Sequence, residues 1–214
     1  MIKAVIFDLD GVIVDTAHYH YLAWKRLAAE FNIDLTPEQN ESLKGVGRLE
    51  SLQIILDLGG LKKTDEEKES LAARKNVWFV EYVEKIKPDE VFTGVNYMLS
   101  NLKAKGYKVA LASSSKNART VVERLNIERE FDFIVDGTMI RNSKPDPEIF
   151  LLAARELDVI PAACVVFEDA EAGVEAAVRA GMKCVGVGSE KQLGKADKVV
   201  KRTADFDTNL LQTL

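Results

Sequence analysis

The chain has 214 residues, 47% of them hydrophobic and 29% charged, which is enough for one large domain or for a core carrying an insertion. Its formal net charge is -5, with Lys and Arg dispersed among Asp and Glu, so no basic face is available to track a phosphodiester backbone and nucleic acid is excluded as an expected partner. Only Cys164 and Cys184 occur, each beside a valine, which predicts small buried hydrophobes with no disulfide and no zinc site. No apolar run approaches the roughly 18 residues of a membrane span. The first strand begins at Ile2, leaving no room for a cleavable leader, and the expectation is a cytoplasmic protein with no membrane partner.

Residues 2–7 form an apolar, β-branched run that predicts a strand buried on both faces, and it ends abruptly in Asp8-Leu9-Asp10-Gly11. From Ala17 to Phe31 the positions Tyr21, Trp24, Leu27, Ala28 and Phe31 recur at helical spacing. Thr36-Pro37-Glu38-Gln39 is a capping box with proline at the first helical position, and opens a second helix. Lys44-Gly45-Val46-Gly47-Arg48 interrupts it, a third helix follows to about Leu58, and Gly59-Gly60 ends that one. A second capping box, Thr64-Asp65-Glu66-Glu67, opens a long helix to about Lys85, broken by Lys87-Pro88.

Beyond Gly94 helices and strands alternate. A helix from about Val95 to Gly106 precedes a strand at Tyr107–Ala112, which finishes in Ser113-Ser114-Ser115-Lys116-Asn117. A helix to Leu125, a strand at Phe131–Val135, a helix from Pro147 to about Leu157 and a strand at Cys164–Phe167 ending in Glu168-Asp169 come next. A helix to Ala180, a strand at Lys183–Val187 and a short one at Val199-Val200 complete the chain. Strands separated by single helices predict parallel βαβ units. The fold class is therefore α/β, a doubly wound (Rossmann-like) parallel sheet core with an inserted all-helical domain. The core takes residues 1–15 and 89–214, and the helical domain residues 16–88.

In an open parallel sheet, ligands bind beyond the carboxyl ends of the strands. Those ends carry Asp8 and Asp10, Ser113 to Asn117, and Glu168 with Asp169. Asp8 and Asp10 side by side repel one another, and three devices could relieve them: a bound divalent cation, a proton shared between them, or a lysine or arginine from elsewhere in the chain. A solvated turn is the plain alternative. Two acidic pairs at separate strand tips suit a hard, oxygen-seeking cation, and magnesium is the usual occupant where phosphate is bound too; that pairing displaces the turn reading. The serine-rich turn can face a phosphate with its N–H groups and hydroxyls. In Lys144-Pro145-Asp146-Pro147 the two prolines that follow the lysine stiffen the backbone, so that the ammonium is aimed at a charge.

This order of motifs, Asp8-Leu-Asp-Gly-Val, then Ser113, then Lys144-Pro, then Glu168-Asp169, resembles the four signature segments of the haloacid dehalogenase superfamily of phosphotransferases. The likeness spans essentially the whole chain, the helical insertion matching that superfamily's cap domain. Asp8 through Thr16, His20, Trp24, Leu43 to Val46, Arg48, Ser51-Leu52, Arg74-Lys75-Asn76 and Ser115 to Asn117 are similar to the pattern of its β-phosphoglucomutase family. The resemblance implies exchange of phosphate between the C1 and C6 hydroxyls of glucose through a 1,6-bisphosphate, with a plain sugar-phosphate phosphatase as the alternative. It makes Asp8 the nucleophile and Asp10 the general acid and base, with Thr16, His20, Lys75, Ser113 and Lys144 assisting. Mg2+ would take Asp8, the Asp10 backbone carbonyl, Glu168 and Asp169. Trp24, Lys44, Gly45, Val46, Arg48, Ser51, Ser115, Lys116 and Asn117 would hold the substrate. Glucose 1,6-bisphosphate is implied as activator and intermediate, a small sugar phosphate as the partner, and a monomer that hinges near residues 16 and 88.

Two positions carry a plain reading beside the functional one. Lys75 falls where the row Leu71, Lys75, Phe79, Val83 calls for an apolar side chain, so its amine either snorkels to the surface or, with His20, controls Asp10. His20 shares a face with Trp24 and Leu27 and could equally be a packed histidine. One departure from the mutase pattern stands out: Gly47, where that family has serine, removes a hydroxyl cap from the following helix.

Overall fold

The computed structural model of the chain describes residues 1–43 and 47–214. The chain divides into two compact units, Thr16–Lys85 and Met1–Asp15 with Ile86–Leu214.

The first of these contains helices α1 (Ala17–Ala29), α2 (Pro37–Glu41), α3 (Arg48–Leu58) and α4 (Asp65–Val83). Both expected capping boxes form. Thr36 Oγ1 accepts from the Gln39 N–H at 3.3 Å while Gln39 returns the bond to the Thr36 N–H at 2.9 Å, and Thr64 and Glu67 do the same at 3.2 and 2.8 Å. These reciprocal bonds satisfy donors that a helix start leaves open. Helix α1 stops before Phe31 because Asn32 turns into the left-handed region, φ 57°, which a short polar side chain tolerates. Helix α3 starts from Gly47 with no side-chain cap, the consequence of the missing hydroxyl. The expected loop residues Lys44, Gly45 and Val46 lie outside the described residues.

The second unit carries strands β1 (Ala4–Phe7), β2 (Lys108–Ala112), β3 (Phe133–Val135), β4 (Cys164–Glu168), β5 (Lys183–Val187) and β6 (Lys198–Val200). Helices α5 (Val95–Ala104), α6 (Ala118–Arg124), α7 (Glu148–Glu156), α8 (Glu171–Arg179) and α9 (Glu190–Leu193) accompany them. The sheet order is β3-β2-β1-β4-β5-β6 with every pairing parallel. The chain moves outward from β1 through β2 to β3, then returns to the other side of β1 for β4, so the switch point lies at the carboxyl end of β1. Phe7 is level with Leu111 and Phe167, which places Asp8, Ala112 and Glu168 abreast at that edge.

Strand β1 is fully buried, as a strand with helices over both faces must be. On one face Ile6, Val166 and Cys184 pack with Ile149, Phe150, Val174 and Ala177. On the other, Phe7 and Phe167 stack at 4.9 Å and Phe206 meets Phe167 edge-on at 5.1 Å. Both cysteines are free and buried; burial pushes their thiols up to about 11 and about 12, so neither offers a thiolate.

Several boundaries depart from expectation. The first strand begins at Ala4, and β3 begins at Phe133 because Phe131 closes a turn of 3-10 helix at Glu128–Glu130. Helix α9, four residues long, is too short to show a helical period and was not expected from the sequence. Among the described residues no helix is long and apolar enough to cross a membrane.

The C-terminal segment is tied to the turn after β1 by the buried Thr203 hydroxyl, which donates to the Val12 carbonyl at 2.5 Å. Thr203→Val keeps the shape and strands that carbonyl. A loss of about 1–3 kcal/mol is expected, read as a lower urea midpoint at unchanged slope; an unshifted midpoint would show that water replaces the bond.

Candidate active site

Strand β1 delivers Asp8 to the edge of the sheet 7% exposed, and β4 delivers Glu168 beside it 1% exposed. Between them lies Lys144. Its ammonium donates to Asp8 Oδ1 and, at 2.6 Å, to Glu168 Oε1, with the Ala112 carbonyl 3.4 Å away and the Phe150 ring beneath at 4.9 Å. Of the three devices that could relieve the acidic strand tip, the lysine from elsewhere in the chain is therefore present. Two carboxylates bind the backbone around Lys144. Glu148 accepts from the Arg141 and Asn142 N–H groups, and Asp146 accepts from the Glu148 N–H.

One ammonium is too little charge for this cluster. Burial, then the charges of Glu168, Asp169 and Asp10, raise the Asp8 carboxyl well above its ordinary value against the opposing pull of Lys144. Asp169 keeps an exposed outer side, yet desolvation followed by the Glu168 and Asp10 charges brings it up to about 7. Lys144 itself is held above the ordinary lysine value, burial being outweighed by Asp8 and Glu168.

Two glycines make room for these carboxylates, Gly11 of the Asp8-Leu-Asp-Gly motif and Gly173, which the sequence did not single out. A Cβ at Gly11, whose φ is +72°, would lie 2.0 Å from Asp169 Oδ2, and one at Gly173 in α8 would lie 1.8 Å from Glu168 Oε1. A glycine inside an amphipathic helix was the legible sign at position 173. The donor set, oxygen only and in excess over its cation, fits a hard divalent ion. Among the described residues no three acidic, His or Cys side chains yet converge on a single point as ligands.

The turn after β2 is bonded within itself. The Ser115 N–H donates to Oγ of the buried Ser113 at 3.2 Å, and the Asn117 N–H donates to Ser115 Oγ at 3.2 Å. Two of the N–H groups expected to face a ligand are thus already committed, and α6, seven residues long, follows directly.

Within the helical unit, Lys75 does not snorkel. It is 2% exposed, its Nζ lies 2.7 Å from His20 Nδ1, and the rings of Trp24 and Phe79 face it at 4.5 and 5.0 Å. His20 stacks on Phe79 at 4.0 Å. Burial, then the Lys75 and Arg48 charges, hold the imidazole well below its ordinary value, so Nδ1 is available to accept from the amine. Burial, then Arg48, lower Lys75 to about 7. Arg48, half-buried at the start of α3, is lowered by burial against the pull of Glu69. Trp24 is buried in α1, and Ser51, buried in α3, donates its N–H to the Gly47 carbonyl at 2.8 Å. Thr16 is buried and accepts the His20 N–H on its carbonyl at 3.1 Å.

A family model described as haloacid dehalogenase-like hydrolase matches residues 2–181. The chain belongs to the haloacid dehalogenase-like hydrolase family. A beta-phosphoglucomutase from Bacillus subtilis (strain 168) is 48% identical over 211 residues, 98% of this chain and 93% of that protein. A crystal structure of beta-phosphoglucomutase from Clostridium difficile superposes with a TM-score of 0.92 at 44% identity, covering 100% of this chain and 96% of that one. A phosphorylated carbohydrates phosphatase from Thermotoga maritima is 37% identical over 91% of this chain and 89% of its own length.

Since Lys75 is lowered when folded, its buried charge costs stability fully below about pH 7, and the cost fades as pH rises toward the ordinary value of 10.5. That interval corresponds to roughly 5 kcal/mol at about 1.4 kcal/mol per pH unit. Lys75→Met should therefore be more stable than the parent at pH 6, with the advantage shrinking by pH 9. Denaturant midpoints across that range test it, and a pH-independent difference would contradict it.

Proposed function

We infer that the chain is a phosphomutase that interconverts β-glucose 1-phosphate and glucose 6-phosphate through a 1,6-bisphosphate. Family membership and 48% identity along nearly the full length of a beta-phosphoglucomutase support this reading. The observation that carries it is the buried Asp8 at the switch point, paired with an ammonium and crowded by further carboxylates.

A phosphate ester is anionic, and a carboxylate can attack it only if positive charge offsets the repulsion and the atoms are held in line. Asp8 is assigned as nucleophile: its oxygen bonds phosphorus as the bond to the sugar oxygen breaks, leaving an aspartyl-phosphate. Lys144 is within reach of both Asp8 and Glu168 and is assigned to steady the transferring oxygens, with Ser113, the residue after the end of β2. Asp10 is assigned to give a proton to the leaving oxygen and take one from the attacking hydroxyl. Mg2+ would be held by Asp8, the Asp10 backbone carbonyl, Glu168 and Asp169, and when bound it supplies the charge that Lys144 alone does not.

A mutase must also grip the far phosphate of the bisphosphate and keep water from the acyl phosphate. Arg48 with Ser115, Lys116 and Asn117 is assigned to that phosphate, Lys44 adding its charge, and Trp24, Gly45, Val46 and Ser51 are assigned to the sugar. Thr16, His20 and Lys75 are assigned to control of Asp10. Glucose 1,6-bisphosphate serves as activator, replacing phosphate lost from Asp8.

The 37% identity to a phosphatase of phosphorylated carbohydrates keeps a second reading in view, with water as acceptor. Supplying β-glucose 1-phosphate, Mg2+ and a trace of the 1,6-bisphosphate separates the two: glucose 6-phosphate supports the mutase, and free glucose with phosphate supports the phosphatase. Asp8→Asn should abolish either activity while remaining folded, and activity retained in that variant would sink the assignment. Gly173→Ala, whose Cβ would collide with the Glu168 carboxylate, should raise the Mg2+ concentration for half-maximal rate about tenfold or more. A parental Mg2+ requirement would place Glu168 outside the metal set.

A further inference from the structure

At the end of β3 the chain turns through Asp136-Gly137-Thr138. No chemistry has been assigned to these residues, yet their packing is unusually constrained. Asp136 is a buried carboxylate, 4% exposed, with both oxygens engaged. Oδ1 accepts from the Thr138 N–H at 2.8 Å and from its hydroxyl at 2.5 Å, and Oδ2 accepts from Arg119 Nε at 3.0 Å. Arg119 lies in the first turn of α6 and also donates to the Ile134 carbonyl at 2.8 Å. Burying a carboxylate is costly unless it is paired. An asparagine could make the local turn bonds without that cost. The ionic partner therefore points to a task beyond the turn, namely tying the end of β3 to the helix that follows the Ser113–Asn117 turn.

Gly137 completes the tie. Its N–H donates to the Ser115 carbonyl at 3.1 Å, and a Cβ there would lie 2.1 Å from the Ser114 carbonyl oxygen and 3.0 Å from the Lys116 nitrogen. The Ser113 N–H donates to the Val135 carbonyl at 3.0 Å. Within the turn, the N–H groups of Ser113, Ser115 and Asn117 all have acceptors. Those of Ser114 and Lys116 have none among the described residues. Alternate amides are spent and alternate amides are left, a pattern that depends on the turn being held flush against Gly137.

We propose that Arg119, Asp136, Gly137 and Thr138 are positioning residues that hold the Ser113–Asn117 turn so that the Ser114 and Lys116 N–H groups receive a phosphate oxygen. The proposal rests on the phosphate reading of the site given above. It takes no part in bond making: the clamp fixes where the donors stand, and preorganised donors act on an anion without reorganising.

The test is titration of the 15N-labelled protein with inorganic phosphate in the presence of Mg2+, following the Ser114 and Lys116 amide resonances, alongside kcat and KM. In the parent both resonances should move. In Asp136→Asn and Gly137→Ala the phosphate Kd should rise about tenfold or more, with KM rising in step and the thermal transition remaining cooperative. Variants that fold and keep the parental Kd and resonance shifts would overturn the clamp while leaving the phosphate reading intact. A parent whose Ser114 and Lys116 amides ignore phosphate would overturn the phosphate reading and the clamp with it. Should both variants fail to fold, Thr138→Val removes a single donor to Asp136 and carries the same two outcomes, with a rise of about threefold expected.

Discussion

Everything at the carboxyl edge of the sheet answers to one electrostatic constraint, which is that Asp8 and Glu168 are buried side by side with a single ammonium between them. Two buried carboxylates repel, and in a low-dielectric setting that repulsion is costly. Lys144 offsets part of it. The part it does not offset appears in the raised carboxyls of Asp8 and Asp169. A cluster that remains short of positive charge favours a further cation. The backbone serves the same end, because Gly11 and Gly173 give up side chains where Asp169 and Glu168 need the space.

The helical unit meets the opposite constraint. Lys75 is a buried cation with no carboxylate partner among the described residues; it rests against a neutral imidazole and two aromatic faces. Its lowered amine and the lowered His20 follow from burial and from the neighbouring Arg48 charge. That cost is borne inside a small helical unit, with Lys75 and His20 packed as one buried basic pair.

The order of elements was legible because each signal is local. The capping boxes at Thr36 and Thr64 formed as their spacing implied, and the buried run through Val5 and Ile6 became the central strand. Strand and helix ends were less legible. Asn32 ended α1 two residues early through its backbone angle, and α9 is too brief to leave a period. At the site, the acidic positions were legible as the strand-end residues of a doubly wound sheet, and Lys144 through the prolines that follow it. Asp136 and Gly137 were not, since the signal for each is a contact with a residue elsewhere in the chain.

The amino-acid sequence alone settled the alternation of strands and helices, the insertion after the first strand, and which residues end each strand, because periodicity and capping act within a few positions along the chain. Only the tertiary structure decided how the acidic strand tip is relieved. Lys144 is 136 residues from Asp8 along the chain and 24 from Glu168, and no local pattern reports which distant cation folding will bring to a buried charge. The same holds for Lys75 and His20, 55 residues apart: spacing allowed a surface lysine and a packed histidine, whereas burial forced them into one pair.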